Sequence, residues 1–213
     1  MIRVLSLSDV DAAAALVREG GLLAYPTEAV FGLGCDPCRP SAVGRLHRLK
    51  QRDPAQGFLL IAASESQLDP FVEWSALSPC QVDAVRVTWP GPVTWVLPRR
   101  RDSSSVIAGA HQGIAVRVTA HVAAATLCRA LGSAIVSTSA NLHGREPARS
   151  VSDVQRQFAG SDLDAILSAP LGGLGKPTEI RNAMTDEVVR SGGLSAPDEQ
   201  DCSAGERRLN RRS

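Results

Sequence analysis

Two cations follow a segment of the sequence with helical periodicity. Lys50 and Arg52 stand at the end of residues 41–50, where apolar residues recur at helical spacing. A lysine offers a compact charge and an arginine a planar fork of donors, and this combination suits a polyphosphate. Cations also occur at helix C-termini without any ligand. The pair therefore indicates either a phosphate site or an ordinary helix end.

Hydroxyl and amide side chains come at the ends of two predicted strands. Thr27 follows the apolar segment 22–26, and Ser137, Ser139 and Asn141 lie at the end of another apolar segment. Open α/β sheets place ligand-binding groups at strand ends. With nearby backbone N–H groups, these side chains could surround phosphate or carboxylate oxygens. The alternative is a simple serine/threonine turn.

Arg117 lies inside the apolar segment 113–118. An arginine there is costly to bury unless it is paired. It either faces solvent or holds an anion in a cleft. Glu28 follows Thr27 at the same strand end, and its carboxylate either contributes to a ligand site or merely caps a turn.

Several familiar catalytic patterns are missing from the sequence. There is no G-x-S-x-G elbow and no H-E-x-x-H pair, and Cys35 and Cys38 lack further ligands at zinc spacing. Residues 172–178 resemble the end of a P-loop, but Pro177 follows the lysine. Transfer of a nucleotidyl group requires anchored phosphates and stabilised charge more than a covalent nucleophile. The cations and hydroxyls therefore favour this reaction class, with no metal site formed by protein side chains.

The elements that must position these residues alternate along the chain. Helices are predicted over 8–19, 41–50, 78–88, 120–131 and 151–158, and strands over 22–26, 58–62, 93–97, 113–118, 134–138, 164–168 and 187–190. Residues 31–40 have the composition of a loop. Some strands follow one another without room for a crossover helix. This pattern predicts an α/β domain with a mixed sheet, and it leaves the strand order open.

Composition narrows the class of protein further. The chain has 213 residues, 44% of them apolar, and a net charge of +1, which suits one globular domain. It contains no apolar run long enough for a membrane span and no signal-peptide core, and its five cysteines do not suggest a disulfide scaffold. We expect a cytoplasmic protein with a folded domain over 1–195. The polar residues 196–213 are expected to be a disordered tail.

Six segments resemble the YrdC/TsaC family of threonylcarbamoyl-AMP synthases. In order they are Tyr-Pro-Thr-Glu-Ala-Val-Phe-Gly-Leu-Gly, Lys-Gln-Arg, Trp-Pro-Gly-Pro-Val-Thr, Ala-Val-Arg-Val, Ser-Thr-Ser-Ala-Asn and Pro-Thr-Glu-Ile-Arg. Each motif is weak alone, but the six occur in the family's order between residues 22 and 193. The resemblance implies a single-domain twisted mixed sheet with flanking helices and a large electropositive cavity.

The resemblance also implies substrates and a reaction. L-threonine and bicarbonate would form N-carboxy-threonine, whose carboxylate attacks the α-phosphate of ATP and releases pyrophosphate. The product, threonylcarbamoyl-AMP, would serve modification of adenosine 37 in tRNA, through transient contact with other threonylcarbamoylation proteins. Mg²⁺ would be bound mainly through ATP. Direct contact with tRNA would be weak, and no membrane would be involved.

Residue roles on the nucleotide side also come from the resemblance. Lys50 and Arg52 would be catalytic, contacting the ATP phosphates and stabilising the leaving pyrophosphate. Ser139 and Asn141 would bind ATP, and Arg190 would lie along the nucleotide.

On the amino-acid side, Arg117 would pair with the threonine carboxylate. Thr27 and Ser137 would hold threonine or its carbamate, and Thr178 would close over the substrate.

The sequence departs from the family after Arg52. The family usually continues with proline and places a lysine shortly before the next strand, whereas this chain has Asp53 and, near the lysine position, Gln56. A carboxylate beside Arg52 could weaken phosphate binding unless another cation compensates, and no role is assigned to Gln56.

Two other functions remain open at this point. One is a module that binds double-stranded or structured RNA, as in ribosome assembly, using Arg99–Arg101 and the arginine-rich tail. The low net charge and few aromatic residues argue against it. The other is a carbamoyl-phosphate-using adenylyl transferase like the YrdC-like domain of hydrogenase-maturation proteins. Those proteins carry acylphosphatase and zinc-finger regions that this chain lacks.

Overall fold

The computed structural model describes residues 2–101 and 105–192. Within these ranges one sheet of ten strands runs through the domain. The strands are β1 Arg3–Ser6, β2 Leu23–Pro26, β3 Phe31–Gly34, β4 Leu59–Ala62, β5 Val93–Pro98, β6 Gly113–Val118, β7 Ile135–Ser139, β8 Ala165–Ser168, β9 Glu179–Asn182 and β10 Val188–Arg190. The helices are α1 Val10–Arg18, α2 Pro40–Lys50, α3 Pro79–Arg86, α4 Ser105–Ala108, α5 Val122–Leu131 and α6 Val151–Gln157.

The sheet mixes parallel and antiparallel neighbours. The strand order is β1-β8-β2-β3-β7-β4-β6-β5-β9-β10. The pairs β1–β8, β2–β8, β4–β6 and β5–β9 are parallel, and β2–β3, β3–β7, β4–β7, β5–β6 and β9–β10 are antiparallel. The predicted α/β class with a mixed sheet is confirmed.

Helices cover both faces of the sheet. Successive side chains of a strand point to opposite faces, and in β2 Leu23 and Tyr25 pack with residues of α1 and α5. Ala24, between them, belongs to the other apolar cluster, which includes Val43 and Leu46 of α2. All the predicted helices are found, with ends that differ by at most a few residues.

The segment 31–34 was predicted as part of a loop, and this prediction was wrong. It forms β3, which pairs with β2 on one side and β7 on the other. The glycines that suggest a turn are needed because neighbours approach closely. A Cβ on Gly34 would lie 2.4 Å from the carbonyl oxygen of Val136, and one on Gly32 would lie 3.2 Å from Ser137 Oγ.

Two further strands were not predicted. β1 is an edge strand that pairs only with β8, and Leu5 is its one buried residue. Because its other residues are exposed, its sequence lacks an apolar run. β9, which runs parallel to β5, contains Glu179 and Arg181, and these two residues form an ion pair. Because of these polar residues, the segment has no apolar pattern that would indicate a strand. The predicted tail and its boundary at residue 195 lie outside the described residues. In the described part of the chain, every helix is too short or too polar to cross a bilayer.

Candidate active site

A cavity of about 720 Å³ opens beside the central strands. It is lined by the loop after β2, by β3 and β7, by the segment after α2, and by residues near β6, β9 and β10. Seven of the nine predicted site residues line it: Thr27, Arg52, Arg117, Ser137, Ser139, Thr178 and Arg190. The fold therefore gathers side chains that are up to 163 positions apart in the sequence, from 27 to 190.

Lys50 is buried behind the cavity wall. Its ammonium donates to the backbone oxygen of Ser139 at 2.7 Å and to the backbone and side-chain oxygens of Asn141 at 2.5 and 2.9 Å. Burial, together with the nearby charge of Arg52, lowers the pKa of Lys50 to about 8. In this arrangement, Lys50 holds the segment that follows β7, and its three hydrogens all have acceptors.

Asn141 also lies outside the cavity lining and holds the same segment. Its Oδ1 accepts from Lys50 and, at 2.6 Å, from Ser139 Oγ. Its amide group donates to the backbone oxygens of Leu142 and Arg145 at 3.2 and 2.9 Å. Every hydrogen of this amide is used within the protein, whereas Ser139 lines the cavity with oxygen lone pairs still available.

Arg52 reaches the cavity because the chain reverses at Gln51. Gln51 has φ of 48°, a left-handed conformation that ends α2 and separates the directions of Lys50 and Arg52. The guanidinium of Arg52 lies over the Phe58 ring at 5.3 Å, a cation–π distance. It donates to the backbone oxygen of Gln56 at 3.3 Å, and its buried Nε finds no acceptor among the described residues.

The departure from the family pattern has a local structural role. Asp53 Oδ1 accepts from the N–H of Ala55 at 2.9 Å and caps a turn of 3₁₀ helix over 54–56. The carboxylate is thereby engaged by a backbone donor on its own turn. Gln56 offers its carbonyl oxygen to Arg52 and lines the cavity.

Arg117 is 3% exposed and forms a buried ion pair with Glu28. Its Nη2 donates to Glu28 Oε2 at 2.9 Å, and its Nη1 donates to the hydroxyls of Thr94 and Thr178 at 3.1 and 2.8 Å. Glu28 also accepts from Thr119 Oγ1. Sequence reasoning noted Glu28 and gave it no role, because nothing in the chain indicates a partner 89 positions away.

Thr178 ends a segment that lies across the Arg117–Glu28 pair. The N–H groups of Gly172 and Leu174 donate to the backbone oxygens of Thr27 and Glu28 at 3.0 and 2.9 Å. A Cβ on Gly172 would lie 2.8 Å from Glu28 Cα, so glycine permits this approach. At the other end, Arg190 holds the carbonyl oxygen of Thr178 from Nε and Nη2, at 3.2 and 2.7 Å.

Thr27 and Ser137 lie close together near Gly32. Thr27 Oγ1 donates its hydrogen to the carbonyl oxygen of Val30 at 2.7 Å, so the lone pairs of Oγ1 remain available to accept hydrogen bonds. A Cβ on Gly32 would lie 3.2 Å from Ser137 Oγ and 3.3 Å from Thr27 Cγ2. Gly32 thus leaves the space that both hydroxyl residues border.

Sequence reasoning missed an apolar part of the cavity and its second wall. Val96, Ile180, Met184 and Val189 line the apolar part. The missed wall includes Gly57, Ala108, His111, Gln112 and Gly113, and its two parts are joined where the Phe58 N–H donates to the Ile107 oxygen at 2.7 Å. Most of these residues are apolar or glycine, and His111 and Gln112 belong to no motif in the sequence, so no sequence signal marked them. No group of three or more metal-binding side chains occurs within residues 2–101 and 105–192.

Comparison with known proteins gives consistent matches. The profile of the Sua5/YciO/YrdC family, described as "Telomere recombination", matches residues 15–192. A protein of Idiomarina loihiensis named threonylcarbamoyl-AMP synthase is 50% identical over 184 residues, which cover 86% of this chain and 98% of that protein. E. coli YciO has a TM-score of 0.77 at 25% identity, with 90% of this chain and 96% of that chain covered.

A further structural match carries a ligand. The P. abyssi Sua5 structure in complex with L-threonine has a TM-score of 0.81 at 29% identity. The match covers 91% of this chain and 58% of that one, so this chain spans little more than half of the P. abyssi protein.

Proposed function

The chain belongs to the Sua5/YciO/YrdC family, and from this premise we propose that it is a threonylcarbamoyl-AMP synthase. L-threonine and bicarbonate condense to N-carboxy-threonine with loss of water. The new carboxylate attacks the α-phosphate of ATP, the bond to the β-phosphate oxygen breaks, and pyrophosphate leaves. The threonylcarbamoyl-AMP formed is passed to other enzymes for modification of tRNA adenosine.

One observation carries the proposal: three arginines and several hydroxyls converge on one cavity without a lining carboxylate among the described residues. The arginines are Arg52, Arg117 and Arg190. Such a set attracts anions, and ATP and an amino-acid carboxylate are both anionic. The volume of about 720 Å³ falls within the range of small-molecule sites. This charge pattern supports the electropositive cavity that the resemblance implies.

Arg52 and Arg190 form the phosphate side of the proposed site. Neither forms an ion pair with a described residue, and each donates to a backbone carbonyl. Burial lowers the pKa of both guanidinium groups, but arginine stays charged in proteins. The two cations orient the triphosphate and stabilise the charge that develops on the leaving pyrophosphate. Lys50 contributes by fixing Ser139, which borders the same space.

Arg117, Thr178, Thr27 and Ser137 form the threonine side. The Thr178 oxygen accepts from Arg117, which leaves its hydrogen free to be donated to the substrate carboxylate. The Thr27 hydroxyl has its hydrogen on Val30 and can accept an N–H from the amino group. The apolar part of the cavity accommodates the flat face of a base.

Magnesium enters this proposal as part of the ATP substrate. A resident Mg²⁺ site would need carboxylates or several carbonyl ligands, and the described lining residues include no Asp or Glu. The hydroxyls and arginines present suit a metal that is held by the phosphates and water.

The RNA-binding alternative finds less support on the surface. It would require exposed arginines free to contact phosphate groups. Of the arginines on which this alternative was based, Arg99 and Arg100 are partly buried and Arg101 is exposed, while the arginine-rich tail lies outside the described residues.

Labelled bicarbonate tests the proposal directly. Purified protein is incubated with ATP, Mg²⁺, L-threonine and ¹³C-bicarbonate, and the nucleotide products are analysed by mass spectrometry. The proposal predicts one labelled threonylcarbamoyl nucleotide that is absent without threonine and strongly reduced with serine. A folded protein that forms no labelled nucleotide contradicts it.

A further inference from the structure

The three arginines of the cavity differ in the charge of their partners. Arg52 and Arg190 donate to backbone carbonyl oxygens, and neither forms an ion pair within the described ranges. Arg117 donates to the carboxylate of Glu28, and the two side chains are only 4% and 8% exposed. Glu28 therefore balances the charge of Arg117, whereas Arg52 and Arg190 have no balancing carboxylate among the described residues, although Arg190 holds the carbonyl of Thr178 beside Arg117.

Glu28 is fixed in place independently of any ligand. One carboxylate oxygen accepts from Arg117 and the other from Thr119 Oγ1. Thr119 is itself held, because its oxygen accepts the His121 N–H at 3.0 Å. The backbone oxygen of Glu28 accepts from Leu174 at 2.9 Å. Contacts on both side chain and backbone thus keep the negative charge beside Arg117.

We propose that Glu28 determines what the Arg117 end of the cavity accepts: a zwitterionic amino acid rather than a phosphate. A zwitterion brings no net charge to the balanced Arg117–Glu28 pair. A phosphate on Arg117 would face the Glu28 carboxylate across one guanidinium, and like charges repel strongly where water is scarce. Glu28 does not line the cavity, so it acts through Arg117 as a specificity-determining residue.

This inference rests on the proposed function and adds a reason for the charge pattern. A site for ATP and an amino acid must keep the triphosphate away from the amino-acid end. If Arg117 were unpaired, all three arginines would attract phosphate groups, and free phosphate or pyrophosphate would compete with threonine. The buried Glu28 removes that competition without occupying space in the cavity.

Glu28→Gln tests the inference because it removes the charge and keeps the size. The amide oxygen can still accept from Arg117. Inorganic phosphate is the probe, measured as an inhibitor of pyrophosphate release at varied threonine and at varied ATP. In the wild type we expect phosphate to compete with ATP only. In Glu28→Gln it should also compete with threonine, with an inhibition constant against threonine at least tenfold lower than in the wild type.

Two variants serve as controls. Glu179→Gln removes a carboxylate from another partly buried pair, with Arg181, that lies outside the cavity lining. It should leave the inhibition pattern unchanged. In Glu28→Gln combined with Arg117→Gln, the gain in phosphate binding should disappear, because the cation responsible for it is gone. A partly unfolded variant would not bind phosphate more tightly. Tighter phosphate binding would therefore report the lost charge of Glu28 rather than a loss of structure.

An unchanged phosphate constant in a folded, active Glu28→Gln variant would overturn the inference, as would an equal gain in Glu179→Gln. If Glu28→Gln does not fold, the wild type supplies the test through 3-hydroxybutyrate, which is threonine without its ammonium group. The inhibition constant of this anion against threonine should be at least tenfold higher than the KM for threonine. A lower inhibition constant would contradict the claim that Glu28 balances the charge of Arg117.

Failure of the proposed function would look different. In that case the wild type would release pyrophosphate without needing threonine, or would release none. Phosphate binding to the same variants by calorimetry needs no turnover and would still report whether Glu28 shields Arg117, with at least tenfold tighter binding in Glu28→Gln expected.

Discussion

The ammonium of Lys50 binds both the backbone oxygen and the side-chain oxygen of Asn141, 91 residues further along the chain, at 2.5 and 2.9 Å. A third bond, to the backbone oxygen of Ser139 at 2.7 Å, completes its coordination. The end of α2 and the segment after β7 are thereby joined. Lys50 therefore acts as a positioning residue for Ser139 in this arrangement, whereas Arg52 reaches the cavity itself.

Loss of the Lys50 proton should reduce turnover above a pH of about 8. Its pKa is lowered to about 8 by burial and by Arg52, and the neutral amine has too few hydrogens for its three acceptor oxygens. We expect the ratio of wild-type kcat to Lys50→Met kcat to fall from pH 7.5 to pH 9.5. Taking the ratio cancels titration of the threonine amino group. A ratio that stays constant would contradict the positioning role.

The lowered pKa of Lys50 should affect stability in the opposite direction from turnover. Between about 8 and the ordinary value of 10.5, the folded state binds fewer protons at Lys50 than the unfolded state. Its contribution to the free energy of unfolding therefore rises with pH over this interval. Chemical denaturation of the wild type and Lys50→Met at pH 7.5 and 9.5 should show this difference. If raising the pH lowered both the activity and the stability of the wild type, but not those of Lys50→Met, the pKa of Lys50 would not be lowered.

Arg52→Ala should lower turnover at least tenfold, a loss of about 1.4 kcal/mol of transition-state stabilisation. Its guanidinium lines the cavity without an ion-pair partner among the described residues. Arg48→Ala, on the exposed side of the same helix, is the matched control and should keep full activity. Steady-state kinetics with varied ATP would decide, and equal activity of the two variants would remove Arg52 from the phosphate site.

Arg117→Ala should raise the KM for threonine more than the KM for ATP. It should also lower the free energy of unfolding by about 3–5 kcal/mol, because Glu28 would remain buried without its partner. Thermal melts and kinetics at two varied substrates would measure both effects. A larger change in the ATP KM would exchange the roles assigned to Arg117 and Arg52.

Gly32→Ala should raise the threonine KM severalfold with a loss of stability of about 1–3 kcal/mol. The added methyl would lie 3.2 Å from Ser137 Oγ and 3.3 Å from Thr27 Cγ2, so one of them must move. Gly44→Ala in α2 is the control, since its methyl would meet nothing closer than 3.7 Å. That change should leave the KM unaltered and stabilise the helix by about 1 kcal/mol. An unaltered KM in Gly32→Ala would place threonine elsewhere.

Much of the fold follows from periodicity alone. Five of the six helices in the described residues and seven of the strands carry apolar residues at helical or strand spacing, which is why their positions were predictable, whereas the short α4 was not predicted. β3 escaped prediction because Gly32 and Gly34 serve close packing against β7 rather than a turn. β9 escaped because its polar residues pair with each other. Strand order depends on contacts between distant segments and leaves no local signal.

The site was predictable as a set of residues but not as a set of partnerships. The residues themselves indicated Arg52 and Arg117, the family resemblance added Thr178, and the fold brings all three to the cavity. Motif spacing gave no sign that Lys50 turns away from Arg52, because that depends on the left-handed conformation of Gln51. The partner of Arg117 was equally hidden, because Glu28 lies in the loop after β2, and β2 is not a neighbour of β6 in the sheet.

Pyrophosphate release would show whether this protein synthesises threonylcarbamoyl-AMP. The protein is assayed with ATP and Mg²⁺, with threonine and bicarbonate each omitted in turn and with serine in place of threonine. For a threonylcarbamoyl-AMP synthase we expect release that requires both threonine and bicarbonate and is much weaker with serine. Release that does not depend on threonine, or no release from folded protein, would contradict it.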